Sequence, residues 1–255
     1  MTLTEIKQAL AANHLRPLKS LGQNFLFDQN ICRQIVAWLN PEPGSAVVEI
    51  GPGLGALTEL LLDLDIGLTV LEIDKGLAAY LRQKFHRFDN FKLAEGDAVE
   101  TLHTVPSASC VIGNLPYNVS TPLLVSMLEL DPLPRHCVFM LQKELAQRLA
   151  AAPHSKEYGA VSILIQSYYS IETLKSLKSN VFFPAPEIDS VVLRMDLKPG
   201  TPGFSPEERR AFYALVRRGF SQRRKKLRNL IELDSDRRAE ELSVSEWQEL
   251  YRKLK

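Results

Sequence analysis

The hydrophobic pattern between Ala46 and Met140 alternates short apolar runs with segments of helical periodicity. The runs have the length of buried strands, and in the segments between them apolar positions recur three and four apart. This pattern predicts strands at residues 46–50, 68–72, 91–94, 109–112 and 137–140, with helices at 57–64 and 75–84. Apolar strands that alternate with helices predict an α/β fold, a mostly parallel sheet with helices on both faces.

Two later apolar runs, at residues 161–169 and 190–195, predict further strands. For the first run, a start as a helix stays open as an alternative. The sheet pattern stops at residues 198–203, where two prolines and two glycines in six residues indicate a linker. Beyond it, residues 206–220, 223–231 and 243–254 have helical periodicity, and Ser205 before Pro206 is typical of a helix start. We therefore predict a domain at 1–198, with an N-terminal extension at 1–17, and a small all-helical domain at 204–255.

The composition of the 255 residues is that of a globular protein, with 45% hydrophobic and 24% charged residues. It excludes a disordered chain, a collagen and a disulfide-rich miniprotein. No apolar stretch approaches the roughly 18 residues of a membrane helix, and the N-terminus lacks a secretory signal pattern. Cys32, Cys110 and Cys137 have no metal-ligand spacing, so we expect reduced buried thiols, no metal and a cytoplasmic location.

The net charge of +1 hides a segregated basic segment. Residues 204–228 carry nine arginines and lysines against two glutamates, a net +7, so the rest of the chain totals about −6. This asymmetry predicts that one side of the molecule meets a polyanion, with a solvated helix face as the alternative. The residues expected to bind nucleic-acid phosphates are Arg223, Arg224, Lys225, Lys226 and Arg228.

A glycine-rich turn follows the first predicted strand. Gly51 and Gly53 lie where glycine lets a ligand approach the backbone, although a dinucleotide-binding turn has the same pattern. Acids at successive strand ends narrow the choice, because Glu72 can accept both ribose hydroxyls and Asp97 can accept from an exocyclic adenine amine. With Glu49 just before the turn, the acids favour a cationic adenosine ligand, S-adenosylmethionine, over a pyrophosphate.

The residues after the fourth strand suit a planar base with an exocyclic amine. The Asn114 side-chain oxygen and the Leu115 backbone carbonyl can accept the two N6 hydrogens of adenine, which directs the nitrogen lone pair toward a methyl group. Tyr117 can stack on the base, and Phe182, on a proline-flanked loop, can cover its second face. A turn with core aromatics is the alternative. The sequence thus predicts methyl transfer by positioning, without a covalent intermediate.

These motifs, in order from about Leu18 to Ile231, resemble the ribosomal RNA adenine N6-dimethyltransferase family, above all its bacterial small-subunit branch. They stand at residues 22–26, 49–53, 72–74, 96–98, 114–117, 182–190 and 220–229. The resemblance implies a class I methyltransferase, a Rossmann-like sheet with a small helical C-terminal domain. It implies dimethylation of two adjacent adenosines in the 3′-terminal hairpin of small-subunit ribosomal RNA, late in ribosome assembly.

The resemblance also implies roles for individual residues. The residues expected to bind S-adenosylmethionine are Asn24, Leu26, Gly51, Gly53, Glu72, Asp97 and Asn114. The residues expected at the target base are Asn114, Leu115, Tyr117 and Phe182. The expected partner is the immature small ribosomal subunit, and we expect a monomer without a membrane anchor. Glu187 departs from the family pattern, in which a basic residue is usual, so we expect one phosphate contact to be weakened.

Three other functions stay open at this level. A nicotinamide-dependent dehydrogenase would use the glycine turn and Glu72 but would leave Asn114 and Tyr117 without a role. A non-catalytic assembly or nucleic-acid-binding factor could share the fold, and the intact Asn114 and Tyr117 argue against it. A dimethylase of a large-subunit RNA adenine, which confers antibiotic resistance, would share the chemistry. The segment at 220–229 favours the small-subunit branch.

Overall fold

The computed structural model describes residues 1–116, 119–222, 225–231 and 236–255. Its strands are β1 (Phe25–Leu26), β2 (Ser45–Ile50), β3 (Ile66–Glu72), β4 (Phe91–Glu95), β5 (Cys110–Asn114), β6 (His136–Gln142), β7 (Tyr169–Leu177), β8 (Phe182–Phe183) and β9 (Ser190–Leu197). Its helices are α1 (Leu3–Ala12), α2 (Gln29–Leu39), α3 (Thr58–Leu62), α4 (Lys75–Phe85), α5 (Ala98–Thr101), α6 (Ser120–Met127), α7 (Lys143–Leu149), α8 (Ala160–Gln166), α9 (Pro206–Gly219) and α10 (Val244–Leu254).

Within these residues, seven strands form one sheet in the order β4-β3-β2-β5-β6-β9-β7. The strands from β4 to β6 pair in parallel, whereas β9 is antiparallel to both of its neighbours. The five strands predicted between residues 46 and 140, and the one predicted at 190–195, are confirmed to within two residues at each end. The short strands β1 and β8 pair with each other, apart from this sheet.

Hydrophobic cores lie on both faces of the sheet, which confirms the predicted α/β layering. On one face α2, α3 and α4 pack against the strands, and on the other α6, α7 and α8 do. The three cysteines are free and buried, as predicted, and burial raises the pKa of Cys32 to about 12. None of the helices in the described part of the chain is long and apolar enough to cross a membrane.

The strand predicted at residues 161–169 is wrong for most of its length, and the helical start left open for it is confirmed. Residues Ala160–Gln166 form α8, and β7 begins at Tyr169. Because α8 lies between the sheet and the C-terminal helices, its apolar side chains are buried all round: Val161, Ile163, Leu164 and Ile165. A short apolar run of this kind has no periodicity that separates helix from strand.

The C-terminal helices α9 and α10 confirm two of the predictions, and each begins at a serine, Ser205 or Ser243, in a capping box. The helix predicted at 223–231 is wrong for residues 225–231. There the chain forms a 3-10 turn at Leu227–Asn229. The Ile231 N–H donates to the Leu227 carbonyl at 2.9 Å, so the helix-like spacing of these two residues reflects one turn only.

The C-terminal helices pack against α8 in a core that continues into the sheet. Phe212 and Trp247 belong to the same cluster of buried side chains as Ile163 and Phe139. Arg209 is buried at this contact, and its guanidinium donates to the backbone carbonyls of Phe204, Leu128 and Leu130. Because one core spans both segments, the division into 1–198 and 204–255 stays a prediction.

The N-terminal extension, which the sequence left without a role, covers the outer side of the glycine turn. Thr2 forms a capping box at the start of α1. Ile6 and Leu10 of α1 pack in a cluster with Phe25 and with Leu54 of the turn. The extension therefore supports the segment of backbone on which the predicted ligand site depends.

Candidate active site

A cleft opens at the carboxyl ends of β2, β3, β4 and β5. Ligands bind at this edge in open α/β sheets. Most of the predicted site residues line this one cleft: Asn24, Gly51, Gly53, Glu72, Asp97, Asn114, Leu115 and Phe182. Leu26 lines a smaller cavity behind the glycine turn instead, and Tyr117 lies outside the described residues.

The glycine turn has a backbone that only glycine adopts easily. The φ angles of Gly51 and Gly53 are +64° and +59°, in the left-handed region. A Cβ at Gly53 would lie 2.8 Å from Cδ1 of Phe25, so the ring of Phe25 occupies the space that a side chain would need. The Gly51 N–H donates to the carbonyl of Leu71 at 3.0 Å, which ties the turn to β3. The turn is held rigid with its backbone open to the cleft.

Glu72 ends β3 and is almost fully buried in the cleft wall. Its Oε1 accepts the Asp74 N–H at 2.9 Å, and its Oε2 accepts the Gly53 N–H at 3.4 Å. Burial raises the pKa of Glu72 to about 7, and these hydrogen bonds oppose the rise. Hydroxyl donors or a positive charge in the cleft would favour the ionised carboxylate, which is the form that binds ribose hydroxyls.

Glu49 lines the smaller cavity behind the glycine turn, where the Thr58 hydroxyl donates to its Oε2 at 2.7 Å. Burial raises the pKa of Glu49 to about 8, and the Thr58 hydrogen bond opposes the rise. Because Glu49 does not line the cleft itself, its influence on a cationic ligand stays a prediction, and Glu72 and Asp97 are the acids that stand in the cleft wall.

Asp97 stands in the same wall as Glu72. The Gly96 N–H donates to the Glu72 carbonyl at 3.0 Å, which joins the ends of β3 and β4. Asp97 caps α5, with its Oδ1 accepting the Val99 N–H at 2.9 Å. The fold thus brings together the two acids that the sequence predicts for an adenosine ligand.

Asn114 is the last residue of β5 and lies where the sheet meets the loop before β1. Its Nδ2 donates to the Asn24 backbone carbonyl at 2.8 Å, which commits the donor end of the amide to the protein. The Leu115 side chain is buried, and its N–H donates to the Met140 carbonyl at 3.1 Å. Its backbone carbonyl accepts the Ser120 hydroxyl at 3.5 Å, and the role of this carbonyl at the target base stays a prediction.

Phe182 lies in the wall of the cleft and also in the core. It pairs with Leu26 between β8 and β1, and only 4% of its surface is exposed. Its neighbour Phe183 lies beneath the ammonium group of Lys7, which is 5.4 Å from the ring centroid. The stacking role of Phe182 stays a prediction.

Ile73 and Gln23 are among the cleft residues that carry no role in the sequence interpretation. Ile73 follows Glu72 in the cleft wall with 46% of its surface exposed, unusual for a large apolar side chain. An apolar residue directly after a strand-end acid is the signal that could have found it. Gln23 also lines the cleft, and one of its two partners is Asp74, 51 residues away, which no local pattern reveals.

Several cations of the basic segment already pair with groups of the protein itself. Lys226 and Arg228 share one acid, Asp236, at 3.2 Å and 2.6 Å. Lys225 is exposed, while Arg223 and Arg224 lie outside the described residues. Arg209 and Arg210 are used elsewhere, in the buried contact above and in an ion pair with Glu129 at 2.9 Å. Part of the net charge of +7 thus serves packing.

The fold is similar to that of solved methyltransferases. A dimethyladenosine transferase from Plasmodium falciparum has a TM-score of 0.78 at 22% identity, covering 90% of this chain and 97% of that one. The 23S rRNA methyltransferase ErmE has a TM-score of 0.65 at 21% identity, covering 91% and 99%. The fold is therefore that of the class I methyltransferases, with the sheet and helices that the resemblance implies.

The sequence comparisons give the family. The profile described as ribosomal RNA adenine dimethylase matches residues 15–250. The Ribosomal RNA small subunit methyltransferase A of Leptothrix cholodnii is 40% identical over 247 residues, covering 91% of this chain and 89% of that protein. That of Pseudomonas fluorescens is 40% identical over 220 residues, covering 85% and 81%. The chain belongs to the ribosomal RNA adenine dimethylase family and is a methyltransferase; the dehydrogenase and non-catalytic alternatives are wrong.

Proposed function

We propose that this enzyme uses S-adenosylmethionine to dimethylate N6 of two adjacent adenosines in the 3′-terminal hairpin of small-subunit ribosomal RNA. The observation that carries the proposal is the position of Asn114, which stands beside the glycine turn in the cleft that also holds Glu72 and Asp97. The names of the small-subunit relatives support this RNA over a large-subunit one. The immature small subunit in the cytoplasm is the proposed substrate, and the enzyme acts as a monomer without a metal.

The residues of the cleft fit S-adenosylmethionine. Gly51 and Gly53 line the cleft with backbone in the left-handed region, and Glu72 has a buried carboxyl group whose pKa is raised to about 7. Glu72 would bind the ribose hydroxyls, Asp97 the adenine amine, and Asn24 and Asn114 the rest of the molecule, whereas Leu26 lines the smaller cavity and not the cleft. When bound, this cofactor supplies a methyl group on a sulfonium, which is an electrophile without phosphate charge.

The chain's own contribution to methyl transfer is to hold the target nitrogen. Asn114 Oδ1 and the Leu115 backbone carbonyl accept the two N6 hydrogens, which turns the nitrogen lone pair out of conjugation with the ring. Tyr117 and Phe182 stack on the faces of the extruded base. The amine loses its proton to solvent after it becomes positively charged, so the site needs no general base. The rate acceleration comes from positioning and from polar groups fixed in advance.

The helical segment 204–255 would serve as the RNA-binding part and residues 1–198 as the catalytic part. Arg223, Arg224, Lys225, Lys226 and Arg228 would contact phosphates, which position the RNA without reading its sequence. Glu187 is exposed on the loop after β8, where its charge would repel a phosphate. RNA shape and the base pocket would then select the target.

A methylation assay on defined RNA tests the proposed function. We expect the purified enzyme with S-adenosylmethionine to produce dimethyladenosine in small subunits that lack the modification, detected by mass spectrometry of the digested RNA. The control substrate is a subunit whose two adenosines are replaced by guanosines, which should gain no methyl group. Methylation of large-subunit RNA in place of the small subunit would contradict the choice of substrate.

The role of the basic segment is tested by the salt dependence of RNA binding. Replacing Lys225, Lys226 and Arg228 with alanine should weaken binding and lower the slope of log K against log salt by about 2 to 3, because fewer counterions are released. The matched control replaces three exposed cations outside this segment: Arg87, Lys92 and Arg135. An equal loss of slope in both variants, measured by titration of the hairpin, would contradict the proposed phosphate contacts.

A further inference from the structure

The loop before β1, residues 18–24, is attached to α4 through the side chain of Gln23. The Nε2 of Gln23 donates to Asp74 Oδ2 at 2.9 Å, and its Oε1 accepts the Leu18 N–H at 2.8 Å. Both ends of the amide are therefore used, and reversing the amide would lose both hydrogen bonds. Gln23 thus fixes the loop at one defined position relative to the sheet.

Asp74 is itself held from two sides. Its Oδ1 caps α4 by accepting the N–H groups of Gly76 at 2.8 Å and Leu77 at 3.2 Å. Its backbone N–H donates to Glu72 Oε1 at 2.9 Å. The two oxygens of Asp74 have separate partners, so Oδ2 can hold Gln23 without disturbing the cap. Gln23 and Glu72 consequently belong to one hydrogen-bonded network.

The residue next to Gln23 contacts the reacting end of the cleft. The backbone carbonyl of Asn24 accepts Asn114 Nδ2 at 2.8 Å, and the Asn24 side chain donates to the Gly22 carbonyl at 3.0 Å. A carbonyl can only accept, so its position selects the orientation of the Asn114 amide in which Oδ1 points elsewhere. Oδ1 is the atom that has to accept from the adenine amine.

We propose that Gln23 and Asp74 are positioning residues for methyl transfer. Their hydrogen bond holds the Asn24 carbonyl where it orients the Asn114 amide toward the target nitrogen. This inference rests on the proposed role of Asn114. Asn24 and Asn114 are 90 residues apart, so their alignment depends on how the loop is attached, not on local structure. A displacement of about 1 Å at a reacting group can cost about 100-fold in rate.

An exchange of the two side-chain types tests the proposal. In Gln23→Glu, a carboxylate faces the Asp74 carboxylate. In Asp74→Asn, an amide donor faces the Gln23 donor, while the cap of α4 is kept because asparagine caps as well as aspartate. The double variant restores the hydrogen bond with the donor and acceptor exchanged, since the amide introduced at position 74 donates to the carboxylate introduced at position 23. The charge of the pair is the same as in the wild type.

We expect each single variant to lower kcat for small-subunit RNA by roughly 10- to 100-fold, with a smaller effect on the Kd of S-adenosylmethionine measured by calorimetry. The double variant should recover to within roughly threefold of the wild type, which independent effects would not produce. The control is Gln83→Glu, the same chemical change on the exposed side of α4, which should leave kcat unchanged.

A second readout does not depend on catalysis. The NMR signal of the Asn114 side-chain NH2 group, identified by its loss in Asn114→Ala, should shift in both single variants and return in the double variant. The proposal is overturned if the double variant has a kcat no higher than that of the less active single variant. It is also overturned if the Asn114 NH2 signal has the same position in the wild type and in all three variants. If the wild type methylates no adenosine, the proposed function fails, and the NH2 signal still decides whether Gln23 and Asp74 orient Asn114.

Discussion

Replacing Asn114 with alanine should lower kcat for adenosine methylation by about 100- to 1000-fold, the range seen when one fixed polar group is removed from a reacting centre. The variant loses the Oδ1 acceptor for the amine, and without it the nitrogen lone pair stays delocalised into the base. The loss should fall on kcat more than on the KM for RNA, because this contact matters most in the transition state. The measurement is single-turnover methylation of small subunits at saturating S-adenosylmethionine.

Cofactor binding separates this role from general damage. Asn114→Ala removes one hydrogen bond of the cleft wall, the one to the Asn24 carbonyl, worth about 1 kcal/mol or about fivefold in Kd. Calorimetry should therefore find S-adenosylmethionine binding weakened by no more than about tenfold. Asn30→Ala, at an exposed position of α2, is the control and should match the wild type in both assays. Normal turnover by Asn114→Ala would contradict the role of the amide.

The positions of the central strands along the chain could be predicted because burial on both faces constrains their sequences strongly. Strands β2, β3, β5 and β6 are covered on both faces, so their apolar runs are continuous and end where the chain leaves the core. The same property misleads for α8, since a helix buried all round carries no polar face to reveal its period. The helix predicted at 223–231 was misleading for another reason. Leu227 and Ile231 are spaced as in a helix, but they belong to a single turn.

The candidate site could be predicted at positions where the backbone conformation requires a particular residue type. Gly53 is required by a positive φ angle and by the nearby Phe25 ring, and Glu72 stands at a strand end next to it. The raised pKa of Glu49 was not predictable, because it depends on burial beside Thr58 and α1. Nor was the contact between Asn24 and Asn114, which joins residues far apart in the chain. These features depend on tertiary packing, which residue order alone does not reveal.

The basic segment illustrates the same limit for charge. A count of cations cannot separate residues that meet a ligand from those that meet the protein. Arg209 donates to the backbone carbonyls of Leu128 and Leu130, and Lys226 and Arg228 share Asp236. Binding of a polyanion would have to compete with Asp236 for two of these cations, which limits the affinity gained from each phosphate contact.

Gly113→Ala should destabilise the protein by about 2 to 3 kcal/mol, in the range of overpacked cores. Gly113 lies in β5 opposite Ile50 of β2, and a Cβ there would be 2.5 Å from the Ile50 backbone oxygen. Both strands are central in the sheet, so neither can shift without disturbing its pairing with its other neighbour. Because Gly113 precedes Asn114 and Ile50 precedes Gly51, the displacement would also reach the cleft and lower methylation. Urea unfolding of the variant measures the change in free energy of unfolding.

Gly67→Ala is the matched control, since Gly67 is also a strand glycine, in β3, and a Cβ there would meet nothing within 4 Å. We expect this variant to be unchanged or more stable by about 0.4–1 kcal/mol, because alanine lowers the entropy of the unfolded chain. The difference between the two variants isolates the close approach of β2 and β5 from the general effect of adding a methyl group to a strand. Equal stability of Gly113→Ala and Gly67→Ala would contradict the view that this approach requires glycine.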